Sequence, residues 1–453
     1  MTVEPQGAKA VMTTSEARRP SRSAADEPEA VVRTLPNGLR VATTPLPHLG
    51  LASATLFVRV GSRYEEVATN GLSHLVEHVL FRGCEAYPDT YQLNAAIESV
   101  GSALDAATMP DFTTFDAVCL PERLPELLGL MGAMIGKPLF AGVDVEQRII
   151  TEELQDEIDA RGRDIDPDNL SKMRFFPGSS MGLKVGGTLA SIKRFDDADC
   201  RRWHGEHYVA ANMVLSVAGP VTVEAVMEAA LESFGALPTG ELKTPRAATS
   251  RADLPAFEFT QNTGTQCDLH LTWVVPVEAH EDWPALQLSQ RVLDDGICSR
   301  LRHRLVDQLG LAYYAGADLE VYEGVSIFTI ATQTRHGQAV AAVDALLEVL
   351  GELQGTPPPD EEVRRMKARM ELEAAVLRDS VSQTSYWQGL RALQPGIGSL
   401  AERWRRASAV TPEAIAVAAR AHFDRKRVQL TAVGDLDPMQ RAALRHRVRA
   451  QGR

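Results

Sequence analysis

The sequence predicts an α+β fold built as two homologous α/β-roll domains, each a mainly antiparallel sheet flanked by helices, and three observations predict it. First, 453 residues exceed what one ordinary core accommodates and suit two domains of about 200 residues each. Second, the later half repeats the earlier one in order. His207-Tyr, followed twelve residues on by the glycine of Met-Val-Leu-Ser-Val-Ala-Gly219, returns at an offset of 215 as His422-Phe and Gln-Leu-Thr-Ala-Val-Gly434. At an offset of 213, Glu77-His-Val-Leu-Phe-Arg-Gly83 returns as Gln290-Arg-Val-Leu-Asp-Asp-Gly296. Third, residues 239–255 have almost no apolar periodicity and read as a linker between two periodic halves. The expected organisation is a disordered tail over 1–30, a first domain over 31–238, the linker over 239–255 and a second domain over 256–447.

Ordered structure begins at Val31. Two strands, Val31–Leu35 and Leu39–Ala42, are joined by an Asn37-Gly38 turn, and Leu51–Val60 is a further strand. Gly61-Ser-Arg-Tyr-Glu65 leads into an apolar helix containing His74, Glu77 and His78 and closed by Gly83. Asp89–Val100 is an amphipathic helix, and Ser102–Thr108 pairs with Thr113–Cys119 around Met109-Pro-Asp. Helices follow at Pro121–Ile135 and Asp144–Ala160, another ends over Arg201–Tyr208, Met213–Gly219 is a buried strand, and the Val223–Phe234 helix closes the half.

Composition narrows the function classes. With 44% hydrophobic and 24% charged residues the chain is globular in type, and no run reaches the roughly 20 apolar residues of a membrane helix. A net charge of -13 argues against nucleic-acid binding. Cys84, Cys119, Cys200, Cys267 and Cys298 are odd in number and lack a Cys-x-x-Cys pair, which points to reduced thiols and a cytoplasmic setting. The first 30 residues have no apolar core and do not form a secretory signal.

His74-Leu-Val-Glu77-His78 is His-x-x-Glu-His, the inverted zinc-peptidase signature. On a helix the two histidines lie one turn apart on one face and can reach one metal ion. Glu77 sits beside them, where a carboxylate can take a proton from metal-activated water. Three polar residues inside an apolar helix need a reason, because burying them unpaired is costly. The repeat supplies a control: the second copy carries Gln287, Gln290 and Arg291 in their places, so the triplet is not needed to build the unit. The same control reads His207, one member of the tempting pair His204 and His207, as a packing residue, since His422 repeats it.

A catalytic zinc site needs a third protein ligand, usually remote in sequence. Glu146, Ile150, Glu153 and Glu157 fall at helical spacing along one face of the Asp144–Ala160 helix, and Glu152 points elsewhere.

His-Leu-Val-Glu-His followed about 75 residues later by Glu146-x-x-x-Ile-x-x-Glu153 resembles the pitrilysin or insulinase family of inverzincin peptidases, which includes the mitochondrial processing peptidase. Pro36-Asn-Gly-Leu-Arg-Val, Gly61-Ser-Arg-Tyr-Glu65, Phe176-Pro-Gly with Gly182 and Gly187, Asn212-Met-Val-Leu-Ser-Val-Ala-Gly219 and Gly310-Leu-Ala-Tyr313 extend the resemblance from about Val31 to Val433. It implies one zinc ion per chain held by His74, His78 and Glu153, with Glu77 as the base and Glu146 orienting a ligand from behind. It also implies two domains forming half of a clam shell, completed by a homodimer or by a heterodimer with a related subunit.

The resemblance further implies that a peptide substrate adds as a strand beside Asp105, Ala106 and Thr108 at a sheet edge. Asp105 stands where the family commonly has asparagine, which exchanges a donor for an acceptor. From the second half, family members present an arginine and a tyrosine to the substrate. Tyr313 matches the tyrosine, but the arginine position falls on Val306, and Arg304, two residues off, is turned about 200° away on a helix. The expected function is a zinc-dependent endopeptidase acting on peptides or unfolded segments, with no nucleic-acid or membrane partner. Two alternatives are a zinc-bearing subunit whose partner supplies the missing arginine, and a non-catalytic homologue on the same fold.

Overall fold

The computed structural model describes residues 28–251 and 256–449. The tail expected over 1–30 falls mostly outside these residues, as do 252–255 of the linker. Two mixed sheets organise the chain. The first is built from β1 (Val31–Thr34), β2 (Arg40–Pro45), β3 (Ala52–Val58), β4 (Leu104–Thr108), β5 (Thr113–Cys119) and β6 (Met213–Gly219), in the order β1-β2-β6-β3-β5-β4. The second contains β7 (Ala256–Gln261), β8 (Cys267–Val275), β9 (Ala312–Tyr322), β10 (Val325–Thr334) and β11 (Gln429–Gly434), in the order β7-β11-β8-β10-β9. The repeat is visible in the pairing: β2 runs parallel to β6 as β7 does to β11, and every other neighbour of the shared five strands is antiparallel.

Each sheet packs one face on helices of its own half. Leu72–Leu80, Leu124–Gly136 and Val223–Phe234 enclose the first core, and Trp283–Asp294, Ala339–Gly355 and Pro412–His422 enclose the second. The other face is covered by a helix from the opposite half. Pro167–Phe175 lies on the second sheet through Ser171, whose Oγ is 2.9 Å from Thr431 Oγ1, and Lys172, whose Nζ is 2.8 Å from Glu320. Val381–Leu393 lies on the first sheet, where the Ser385 hydroxyl donates to Thr55 Oγ1 at 3.0 Å and lies 2.9 Å from the Ser216 carbonyl. This exchange explains why every residue of β3 and β6 is buried, small polar residues such as Thr55 and Ser216 included.

The described part of the linker, 239–251, contains neither helix nor strand and is pinned to the first half. Ala210 and Ala211 donate to the carbonyls of Pro238 and Thr239, and Lys243 N donates to Asn212 Oδ1. One expectation needs correction. The helix expected over Asp144–Ala160 ends at Glu153 and passes into a 3-10 turn over Leu154–Glu157. Asp159 accepts from the main-chain NH groups of Arg161 and Arg163 around Gly162 (φ 73°), which draws the chain out of the helix. Glu157 therefore leaves the face shared by Glu146 and Glu153 and pairs with Lys184 at 2.7 Å. The last helix is Pro438–Arg449.

Candidate metal centre

The Leu72–Leu80 helix is fixed at its start by the segment before it. Gly61 passes so close to the next hairpin that a Cβ there would lie 2.0 Å from the Met109 carbonyl oxygen. Arg63, fully buried, pairs with Asp111 at 2.5 Å and donates to the carbonyl of Glu323 in the second half. Buried Glu65 accepts from the main-chain NH groups of Gly71 and Ser73, both at 2.8 Å, and so satisfies donors that a helix start leaves free. The Gly-Ser-Arg-Tyr-Glu segment thus sets the helix against both halves.

On that helix His74 Nε2 and His78 Nε2 are 3.1 Å apart, and Glu153 Oε2 lies 3.9 and 3.8 Å from them. Donors sharing a tetrahedral zinc at about 2.1 Å are separated by roughly 3.3 Å, so the three bracket the spacing that zinc requires. His78 Nδ1 is 2.9 Å from Glu146 Oε2, and Arg82 holds the other oxygen of that carboxylate. With Nδ1–H donating to Glu146, the His78 Nε2 lone pair faces the common point. His74 Nδ1 is buried without a partner among the described residues. The donor set is one that zinc accepts, and Glu153, about half exposed, leaves the centre open on one side.

The electrostatics divide the roles. Burial, aided by the charge of His78, pushes His74 down to about 4 and keeps its imidazole neutral. For His78 burial acts downward but is outweighed by the hydrogen bond to Glu146 and nearby carboxylates, so its pKa rises. Glu77 is buried and its pKa is raised by desolvation, against the hydrogen bond it accepts from Thr108 Oγ1 at 2.6 Å. A carboxylate raised in this way takes up a proton more readily than an ordinary one. Thr108 is therefore turned toward Glu77. Asp105 and Ala106 lie on β4, whose only sheet neighbour among the described residues is β5, so its other edge is free.

The second copy fills the same place with ions. Gln290 donates to the Ala317 carbonyl at 2.8 Å, while Arg291 pairs with Asp295 at 2.7 Å and with Glu373, and Arg369 pairs with Asp295. Its charges are balanced without a metal ion. Tyr313 is 92% exposed at the start of β9, and no hydrogen bond or ion pair among the described residues joins it to Glu77. Arg304 lies in a π-helical stretch, Arg302–Gln308, where the α-helical 200° does not apply; its guanidinium is held by Glu348 at 2.8 Å. His204 and His207 serve packing. His204 Nε2 donates to the Ile135 carbonyl and its ring stacks on Tyr208, while His207 lies against Trp203. Arg82 and Glu65 were not singled out from sequence. Their signals were the four-residue spacing from His78 and the position just before the helix.

A family model described as "Insulinase (Peptidase family M16)" matches residues 40–178, and one described as "Peptidase M16 inactive domain" matches residues 194–370. The chain belongs to the insulinase family, M16. Within this family it is similar to a protein named "Uncharacterized zinc protease" from Streptomyces coelicolor, 26% identical over 91% of both chains. A protein of the same name from Rickettsia felis is 27% identical over 67% of this chain and 73% of its own. The mitochondrial-processing peptidase subunit beta of Caenorhabditis elegans is 28% identical over 59% of this chain and 58% of its own. Among solved structures, the peptidase M16 inactive domain from Pseudomonas fluorescens superposes with a TM-score of 0.82 at 18% identity, covering 90% of this chain and 98% of the other. A protease from Helicobacter pylori gives 0.82 at 19%, covering 90% and 99%. Both show the fold.

Proposed function

We propose that this M16 chain is a zinc-dependent endopeptidase acting on peptides or unfolded segments, with His74, His78 and Glu153 holding zinc and Glu77 as general base. The observation that carries the reading is the convergence of three donor atoms beside a raised carboxylate, at a place where the homologous copy has an ion-pair network instead. Bound there, zinc supplies a Lewis acid that acidifies water and polarises a peptide carbonyl. Glu77 takes the proton from the attacking water on its carboxylate and later passes it to the departing amine. Thr108 holds the Glu77 carboxylate in place, and Glu146 with Arg82 holds the His78 imidazole. The free edge of β4 aligns an extended substrate by main-chain pairing, with Asp105 offering an acceptor to it. The proposed domains are 31–238 and 256–447, and a second copy or a related subunit closes the chamber. Unpaired cysteines, five in all, support a reducing compartment such as the cytoplasm; among the described residues no helix is long and apolar enough to cross a membrane.

One observation favours a heterodimer over a self-sufficient enzyme. Val306 occupies the arginine position and Arg304 is engaged by Glu348, which favours a partner subunit as the source of that guanidinium. The test is zinc analysis and hydrolysis of an unstructured peptide library by the native assembly and by the single chain. Turnover by the single chain with zinc bound supports a homodimer, and turnover by the assembly alone supports the partner.

A further inference from the structure

The second half contains its own converging donors, away from the ion-pair network that replaces the first centre. His280 and Asp282 precede the Trp283–Asp294 helix, and His422 ends the Pro412–His422 helix. One ligand atom from each lies within 4.8 Å of the other two. Asp282 Oδ2 is 2.8 Å from His422 Nε2 and 3.9 Å from His280 Nδ1, distances that bracket the roughly 3.3 Å separating donors on one tetrahedral ion. The two imidazole rings meet edge to face at 5.7 Å. His280 is exposed and the other two are partly so, which leaves room for water to complete the coordination.

The internal repeat sharpens this. The main-chain bond from Leu72 N to Thr69 O recurs as Ala285 N to Asp282 O, both 3.0 Å, so the offset of 213 holds up to the helix start. In the first half Val67 and Thr69 stand where His280 and Asp282 stand in the second. His207 and His422 are common to both halves, but His207 is packed against Trp203 with its Nδ1 unpartnered, whereas His422 meets a carboxylate. Thus each half carries, at a different place, a set of donors that the other lacks.

We infer that His280, Asp282 and His422 bind a divalent cation of the zinc class, clipping the start of the Trp283–Asp294 helix to the end of the Pro412–His422 helix. Two imidazoles and one carboxylate select a borderline ion over magnesium or calcium. Ligation through His280 Nδ1 exchanges the 3.1 Å hydrogen bond that it accepts from Asp282 N. Arg406 donates to the carbonyls of Glu278 and His280 and holds the loop in its donor-converging form.

The test is zinc content of the untagged full chain after equilibrium dialysis against ZnCl2, with the visible spectrum of the cobalt-loaded protein as a second readout. The wild type is expected to hold about two zinc ions per chain, falling to about one in His280→Ala and to about one in the His74→Ala, His78→Ala double variant. His280→Ala alters an exposed side chain, so folding is not at stake; His422→Gln should give the same loss. A wild type holding about one zinc that survives in His280→Ala and disappears in the double variant overturns this inference and leaves the peptidase reading intact. Unchanged stoichiometry in both His280→Ala and a folded His422→Gln overturns it as well.

Discussion

His78 Nδ1 and Glu146 Oε2 lie 2.9 Å apart, and Arg82 closes the arrangement on the far side of the carboxylate. Two charged groups, one on the Val143–Glu153 helix and one in the turn after the Leu72–Leu80 helix, thereby fix one imidazole. The consequence is that the direction of His78 Nε2, a ligand in the proposed zinc centre, is set by a residue outside the proposed ligand set.

Replacing Glu146 with glutamine should therefore weaken zinc binding without unfolding the protein. A fall of about 10- to 100-fold in affinity is the expected scale for losing such a partner. Competition against a chromophoric chelator measures it. Unchanged affinity would show that His78 is oriented by its helix alone.

Arg63 and Asp111 form a buried pair at 2.5 Å that also receives the Glu323 main-chain NH at 2.7 Å. Arg63→Met leaves Asp111 buried with its main partner gone. The expected cost is about 3–5 kcal/mol, read as a lowered midpoint in urea unfolding at unchanged slope. Because the same pair joins the two halves, a loss of two-state behaviour in Arg63→Met would show that it couples them.

The two packing histidines give a pH dependence. Burial pushes both His204 and His207 down to about 4, from an ordinary value near 6.5. The unfolded chain thus takes up protons that the folded chain refuses between those values. Stability is complete above about pH 6.5 and falls as the pH drops toward 4, by at most about 1.4 kcal/mol per unit for each histidine. His204→Gln should flatten that decline in thermal unfolding measured from neutral to acidic pH. An identical slope in the variant would place the acid sensitivity elsewhere.

The exchanged helices predict paired effects. Ser171 and Ser385 occupy equivalent places at an offset of 214 and reach Thr431 and Ser216 across the two halves. Ser385→Ala leaves buried acceptors on the first sheet without their donor and should cost about 1–3 kcal/mol. Ser171→Ala should cost a similar amount. A cost confined to one of the two would mean that the halves do not share this packing equally.

Much of this was legible in the chain. The repeat gave two similar units because the glycines ending β6 and β11 and the histidines before them must recur to close equivalent strands. The four-residue spacing of His74 and His78 placed both rings on one helical face, since side-chain direction follows from helix period. The end of the Glu153 helix was not legible, because Leu154–Glu157 keeps helical spacing while a turn around Asp159 decides the break. Nor was the π-helical stretch at Arg304, whose side-chain directions depend on local hydrogen bonds rather than on sequence period. Nor was the bond from the Thr108 hydroxyl to Glu77, a contact between distant segments that no local pattern encodes.

The central claim rests on Glu77 acting as a base beside bound zinc, and the Glu77→Gln variant tests it most directly. Zinc content and hydrolysis of an unstructured peptide should be measured on the same active preparation as the wild type. The account predicts unchanged zinc and a loss of about 10²–10⁴-fold in turnover. Full turnover by the zinc-loaded variant would contradict it.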